Sequence, residues 1–357
     1  MLIFHIVGAR PNFVKAAPVH RALSSYSGLK QLIVHTGQHY DANMSDVFFR
    51  QLNIPNPEVN LQVGSGTHAH QTALIMTRLE PVLLERNPDL VLVYGDVNST
   101  VAAAIVCAKL GIKIGHVEAG LRSFDRTMPE EINRVLADQL SDLLFTPSTD
   151  GNANLLREGV NSEKIHLVGN VMIDTLLTML PLAKQMVPSG LPQRFALVTL
   201  HRPANVGDLQ WLSGMLRSLA KISEQLDIVF PLHPRTRQAL LQANGSIAHS
   251  RHVLLSDPVS YLDFLALQTR ATLVITDSGG IQEETTFLGI PCLTVRDNTE
   301  RPVTITAGTN KLVGRDPHRL ESEVDRILSG KQTHAGRPDL WDGRAAERIA
   351  AIISRLG

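Results

Sequence analysis

Short apolar runs of strand character recur along this chain with longer segments of helical periodicity between them, and that alternation leaves few folds open. The runs lie at 2–7, 31–35, 90–94, 113–117 and 143–146; the helical segments include 13–24, 71–86, 99–109 and 131–140. Strands separated by helices are joined by crossovers and so pair in parallel, and a parallel sheet needs helices on both faces to cover it. The rhythm pauses over 169–192, where a helical segment at 172–186 leads into Val187-Pro188-Ser189-Gly190 and then Pro192. It resumes with strands at 196–200, 228–232, 252–255, 272–276 and 292–295. The pattern predicts an α/β fold of two doubly wound domains, residues 1–168 and 169–342, with a final helix over 343–357 packing back on the first.

Composition excludes several classes. At 357 residues the chain has room for two domains of roughly 150 residues each. The 34 basic and 34 acidic residues cancel, and no basic block stands out, which argues against a nucleic acid or an anionic membrane as partner. Cys107 and Cys292 are the only cysteines and each sits in an apolar run, which suits buried thiols in a reducing compartment. No apolar stretch reaches the ~18 residues of a membrane helix, and the N-terminus lacks a charged-then-apolar signal pattern, so a cytoplasmic protein is expected. The strand-end segments around His201 and His233 hold no Cys or His pairing at metal-ligand spacing, so no metal is expected.

Ligands in open α/β sheets sit beyond the carboxyl ends of the strands, so the polar residues after each strand carry the functional information. The most specific stretch is 271–302. Its strand ends in Thr276-Asp277-Ser278-Gly279-Gly280, and a helix begins at Ile281. The two glycines leave bare backbone at a helix N-terminus, where unpaired N–H groups and the positive dipole end can meet a phosphate. Glu284, one turn further on, suits a sugar diol such as ribose. A Ser-capped turn without a ligand is the structural reading of the same residues. Two histidines also stand at strand ends near an arginine, in His201-Arg202-Pro203 and His233-Pro234-Arg235. Histidine there suits proton transfer or hydrogen bonding to phosphate. Phe264 either stacks on a base or packs in the core.

The first half carries a different chemistry. Its first strand leads into Gly8-Ala9-Arg10-Pro11-Asn12, then Lys15. This is no GxGxxG fingerprint, which disfavours a nicotinamide-type dinucleotide; Arg10 and Lys15 suit a pyrophosphate. Asp96 follows another strand, as a turn residue or a catalytic acid. Glu118 directly follows a buried strand, where an unpaired carboxylate is costly. Pairing with Arg122 is the structural explanation for it, a catalytic carboxylate the functional one. Glu130 and Glu131 open a helix beside Arg134, either compensating its dipole or serving as acids.

These segments resemble the non-hydrolysing UDP-N-acetylglucosamine 2-epimerase family over nearly the whole chain. The resemblance rests on Gly8-Ala9-Arg10-Pro11, Thr36-Gly37-Gln38-His39, Tyr94-Gly95-Asp96, the run from His116 to Arg122 and the run from Pro129 to Arg134. In the second half it rests on His201-Arg202, the run from Asp277 to Glu284 and the run from Arg296 to Pro302. It implies two Rossmann-like domains facing a cleft, in the GT-B-like architecture, and no cofactor. It also implies a UDP-sugar substrate and a homodimer. Asp96, Glu118 and Glu130 resemble the family's catalytic carboxylates, and His201 its active-site histidine. Arg10, Lys15, Arg134 and Arg202 fall on positions that hold the diphosphate or orient the acids. Ser278, Gly279 and Gly280 match the phosphate turn, Glu284 the ribose-binding acid, and His233 and Phe264 the uridine side. Gln38 and His39 keep part of a segment that binds a second substrate molecule as an allosteric activator in bacterial relatives.

Two positions depart from the family. Ala204 stands where many relatives carry Glu, and Asp41 replaces the usual residue of the activator segment. The implied reaction expels UDP from C1 while the C2 proton leaves, giving 2-acetamidoglucal, and then adds UDP back. Three alternatives stay open at this point. One is the same mechanism on UDP-2,3-diacetamido-2,3-dideoxy-glucuronate. The others are a hydrolysing epimerase and a nucleotide-sugar-binding protein without catalysis.

Overall fold

The computed structural model describes residues 1–38, 52, 54–186, 190–243, 250–331 and 336–356. Its contacts divide the chain into two units, Met1–Thr175 with Asp339–Gly357, and Leu176–Pro338. The first unit opens with β1 (Leu2–Val7), α1 (Arg10–Leu23), β2 (Lys30–His35), β3 (Val59–Asn60) and α2 (His68–Arg86). It continues with β4 (Leu90–Tyr94), α3 (Asn98–Leu110), β5 (Lys113–Val117), α4 (Pro129–Leu140) and β6 (Leu143–Thr146). Then come α5 (Thr149–Arg157), β7 (Ile165–Leu167) and α6 (Val171–Gln185), within which the division falls.

The second unit begins with β8 (Phe195–Thr199), α7 (Pro203–Val206), α8 (Leu209–Ile222), β9 (Asp227–Pro231) and α9 (Pro234–Gln242). It goes on through β10 (Val253–Ser256), α10 (Tyr261–Gln268), β11 (Leu273–Thr276), α11 (Gly279–Leu288) and β12 (Cys292–Thr294). The last elements are α12 (Val303–Thr306), β13 (Asn310–Leu312), α13 (Pro317–Leu328) and, back in the first unit, α14 (Ala345–Ile353).

Among the described residues, one sheet runs β3-β2-β1-β4-β5-β6-β7 and the other β10-β9-β8-β11-β12-β13. Every strand pair is parallel. Both sheets start in the middle, build outward one way, then return to build the other way. This is the doubly wound order, and each sheet has one point where the order reverses: between β1 and β4, and between β8 and β11.

The cores follow from the strand period of two. On β8, Ala196 and Val198 enter one apolar cluster with Leu212, Met215 and Leu219 of α8. Phe195 and Leu197 of the same strand enter another, with Leu267 and Ile290. Helices therefore cover both faces. In the first unit, β4 is buried at every position, and α3 is buried nearly all round. Ala102, Ala103 and Ala104 leave α3 slim enough to lie inside the core it shares with Phe4, Ile75 and Val93.

Two contacts tie the start of α6 to the first unit. The Thr175 hydroxyl donates to the Val14 carbonyl at 2.6 Å. The N–H groups of Ala345 and Ala346, at the start of α14, donate to the Asp174 carboxylate at 3.2 and 2.7 Å. Helix α14 buries Ala345, Ala346, Ile349, Ala350 and Ile353 and packs against α1.

Asp174 gives this cap a pH dependence. Burial raises its carboxyl to about 6, although the two N–H groups pull the other way. A folded value above the usual 3.8 means the folded chain binds the proton more tightly than the unfolded chain. The resulting stabilisation is full below 3.8 and is lost as pH rises through about 6. Against Asp174→Asn, which carries no titrating charge, the wild-type chain is expected to lose up to about 3 kcal/mol across that window. Urea unfolding of both proteins at about pH 4 and about pH 7.5 checks this. A gap between them that stays constant, or that moves in wild-type's favour, would remove Asp174 as the titrating group.

Candidate active site

In the first unit, the residues singled out from the sequence gather where the strand order reverses. Asn12 fixes this corner: its Oδ1 accepts from the N–H groups of Gly8 and Ala9, both at 3.0 Å, and its Nδ2 donates to the Tyr94 carbonyl at 2.7 Å. The end of β4 is thereby held to the turn after β1. Lys15, one turn into α1, is buried and its Nζ meets Glu118 Oε1 at 2.7 Å. Both cross Gly95, where an added Cβ would lie 2.7 Å from Lys15 Nζ and 3.6 Å from Glu118 Oε1. The glycine also has φ +62°, a conformation costly for any other residue.

Glu118 is itself in the left-handed region, with φ 76°. Its N–H and that of Ala119 both donate to the Phe145 carbonyl, at 3.1 and 3.0 Å, which holds the twist at the end of β5. A non-glycine residue there costs on the order of 1–3 kcal/mol, and such strain concentrates at functional sites. Lys15, not Arg122, is the partner of Glu118. Arg122 instead pairs with Asp138 at 2.6 Å and with Glu158 at 2.7 Å.

Asp96 is 22% exposed and takes an ion pair from Arg134 Nη2. Arg134 Nη1 reaches Glu131 at 2.6 Å. Glu131 is buried and also accepts from the Ser123 N–H, the Ser123 hydroxyl and the Phe124 N–H, each at 2.9 Å. It organises the 121–125 loop. Glu130, its neighbour on the first turn of α4, is exposed and has no ion-pair or hydrogen-bond partner among the described residues. Two adjacent acids thus face opposite ways.

Beneath these loops lies a buried network that the sequence did not announce. His116 Nδ1 meets Asp138 Oδ1 at 2.6 Å and its Nε2 donates to the Gly95 carbonyl at 2.8 Å. Asp138 Oδ2 accepts from the Gly120 N–H at 3.1 Å and from Arg122. One carboxylate therefore braces both the Gly95-Asp96 turn and the Glu118–Gly120 turn. Gly120 is required at its position: φ is +80°, and a Cβ would strike the Gly151 carbonyl oxygen at 2.5 Å.

Gln38 is buried, and its Oε1 accepts from the Ser99 N–H at 2.9 Å and the Ser99 hydroxyl at 2.7 Å, capping α3. Arg10 opens α1 by its backbone; its side chain and His39 lie outside the described residues.

In the second unit the same logic applies at β8 and β11. Asp277 is fully buried and follows β11; His201 and Arg202 follow β8. Ser278 is the N-cap of α11, its hydroxyl making no cap bond and its N–H donating to Thr276 Oγ1 at 3.0 Å. Gly279 and Gly280 form the first turn. A Cβ at Gly279 would lie 2.4 Å from Arg301 Nη1 and 2.7 Å from Glu300 Oε1, so only glycine admits this pair against the turn. Arg301 also meets Glu283 at 2.9 Å. Glu300 collects Arg296 at 2.8 Å, Arg301 at 2.5 Å and Arg202 at 3.6 Å. Three guanidinium groups, those of Arg202, Arg296 and Arg301, thus gather around Glu283 and Glu300 beside the N-terminus of α11.

Glu284 is buried and accepts from the Tyr261 hydroxyl at 2.9 Å. His233 caps α9, its Nδ1 accepting from the Arg235 N–H at 3.2 Å, and its ring lies 5.9 Å from that of His201. Phe264 packs against the apolar cluster that contains Phe195 and Leu267.

A family model described as UDP-N-acetylglucosamine 2-epimerase matches residues 21–354. The chain belongs to this family. It is 42% identical to the UDP-N-acetylglucosamine 2-epimerase of Methanocaldococcus jannaschii over 98% of both chains. It is equally, 42%, identical to the UDP-2,3-diacetamido-2,3-dideoxy-D-glucuronate 2-epimerase of Pseudomonas aeruginosa, over 100% of both. The crystal structure of the Methanocaldococcus jannaschii epimerase with UDP-GlcNAc and UDP superposes with a TM-score of 0.92 at 41% identity, covering 99% of this chain and 100% of that one. The fold is accordingly the GT-B-like α/β architecture of the epimerase family. No helix among the described residues is long and apolar enough to cross a membrane.

Proposed function

We propose that the chain is an isomerase that interconverts UDP-N-acetylglucosamine and UDP-N-acetylmannosamine without net hydrolysis. The observation that carries this reading is Glu118: a buried, backbone-strained carboxylate set against Lys15 at the reversal point of a doubly wound sheet. A structural acid needs no such conformation. The second unit binds the nucleotide: the α11 N-terminus and the Arg202, Arg296 and Arg301 cluster take the diphosphate, and Glu284 takes the ribose diol. The first unit supplies the acids and bases.

The chemistry explains the inventory. The C2–H bond of the sugar is weakly acidic, and inversion needs a base on one face and an acid on the other. As a carboxylate takes the C2 proton, the C1–O bond breaks and its electron pair leaves with UDP. The product is 2-acetamidoglucal. UDP then adds back to C1 while a second acid delivers a proton to the opposite face of C2. Asp96, Glu118 and Glu130 are the carboxylates of this scheme, with Lys15 and Arg134 holding the first two. Cations and helix N–H groups around the diphosphate stabilise the departing charge.

The reading extends to a homodimer and to a cytoplasmic enzyme supplying cell-surface polysaccharide synthesis. The exposed Ile132 and Leu136 on α4 supply apolar surface for a second copy. Proton NMR of the purified protein with UDP-N-acetylglucosamine tests the central claim through the C1 and C2 signals. The expected result is a mixture of the two UDP-sugars with no lasting accumulation of UDP. Free N-acetylmannosamine with UDP would identify a hydrolysing enzyme. Turnover of only the diacetamido-glucuronate would move the substrate to the uronate.

A further inference from the structure

Asp277 follows β11 and gathers donors from the turn after β8 at the second unit's reversal point. Its carboxylate is fully buried. The His201 N–H donates to both oxygens, at 3.1 and 3.0 Å. The Arg202 N–H and the Asn205 Nδ2 donate to Oδ2 at 2.9 and 3.1 Å. The His201 ring completes the set, with Nδ1 at 3.0 Å from Oδ1. Among the described residues, every partner in this set other than the imidazole is an N–H that can only donate. A carboxylate, which only accepts, is the group that satisfies them all.

The consequence falls on His201. Facing an ionised carboxylate oxygen, its Nδ1 must carry a hydrogen, which fixes the tautomer. The ring is 39% exposed, and Nε2 has no hydrogen-bond partner among the described residues. The free nitrogen is therefore the one available to a ligand. We infer that Asp277 is the positioning residue for His201, locking Nδ1–H so that the Nε2 lone pair is presented to a hydroxyl or N–H of the bound UDP-sugar. This rests on the epimerase reading above and deepens it. Asp277 touches no substrate in this scheme; it acts through the ring.

The geometry predicts what an isosteric change does. In Asp277→Asn the amide has one acceptor oxygen, and three donors converge at the Oδ2 position. The oxygen settles there and the NH2 group takes the Oδ1 position against His201 Nδ1. A donor at that place forces Nδ1 to accept, so the ring's hydrogen moves to Nε2. The tautomer is reversed while the turn after β8 keeps its acceptor.

The test combines three readouts. Nitrogen-15 NMR of histidine-labelled protein, with the His201 signal identified by its loss in His201→Asn, reports which ring nitrogen carries the hydrogen. Wild type is expected to show Nδ1–H and Asp277→Asn to show Nε2–H. Turnover in Asp277→Asn is expected to fall about 10²–10⁴-fold, with KM moving much less, as for loss of a positioned acid or base. In a His201→Asn background the same change should add less than about threefold, because a residue that acts through the ring has nothing left to act on.

A hydrogen on Nε2 in wild type overturns the inference, and that measurement needs no folded variant. Full activity in Asp277→Asn, or losses that multiply in the double variant, overturns it as well. A wild-type protein that turns over no UDP-sugar but shows the expected Nδ1–H sinks the epimerase reading and leaves the positioning by Asp277 standing.

Discussion

Epimerisation in heavy water is expected to place deuterium at C2 of the product, and the carboxylate variants are expected to slow that exchange together with turnover. The route proposed here removes the C2 hydrogen to solvent-exchangeable acids and replaces it from the opposite face, so the original hydrogen is not retained. Asp96→Asn, Glu118→Gln and Glu130→Gln should each lose about 10²–10⁴-fold in turnover. Some of them should release 2-acetamidoglucal and UDP, because re-addition then lags behind escape. Glu118→Gln carries an additional expectation: Lys15 loses the charge it pairs with at 2.7 Å, so this variant should also change diphosphate affinity. Mass spectrometry of the product and quantitation of free UDP read both effects. Product that keeps its C2 hydrogen would falsify proton exchange and point to oxidation and reduction at the sugar. Full activity in all three variants would make these carboxylates structural.

The second large effect is on stability. Asp138→Ala is expected to destabilise the chain by about 3–5 kcal/mol, the usual cost of removing one partner from a buried charge network. Asp138 is 1% exposed, and its loss leaves the His116 Nδ1, an Arg122 nitrogen and the Gly120 N–H without their acceptor. Burial alone would raise the Asp138 carboxyl; the His116 ring and the Arg122 guanidinium more than offset it and hold it below the usual range. The sign is opposite to that of Asp174. Stabilisation by Asp138 is present above the unfolded value of 3.8 and is lost as pH falls through the lower folded value. Asp138→Asn keeps the shape and should fall between wild type and Asp138→Ala. Urea unfolding followed by circular dichroism measures the series at neutral pH. A wild-type midpoint for Asp138→Ala would show that the network contributes nothing.

Much of the fold is written locally. Strands at Leu2–Val7, Leu90–Tyr94, Lys113–Val117 and Leu143–Thr146 are visible because each is a mostly apolar, mostly buried run long enough to read by itself. The strands Val59–Asn60, Ile165–Leu167 and Asn310–Leu312 are not visible. Each is two or three residues long and lies at a sheet edge, so it exists as a strand only through the neighbour it pairs with. The site shows the same divide. The glycine turn at Ser278-Gly279-Gly280 and the acids after strand ends are local signals. The partners are not: Glu118 lies four positions from Arg122 but pairs with Lys15, 103 residues away.

The sequence by itself determined the alternation of elements, hence two parallel sheets, and the chemical types that stand at their carboxyl ends. Periodicity and backbone propensity act over a few residues, and they are enough for that. Only the tertiary structure decided that Glu131 turns inward to brace a loop while Glu130 faces out, and that Phe264 lies half-buried against an apolar cluster. It likewise decided that Asp174 caps a helix 171 residues further on, and that Asp277 meets His201 across 76. These choices depend on which strands become neighbours. A buried carboxylate takes the donors that the sheet order brings within 3 Å or so, and chain distance has no part in the outcome.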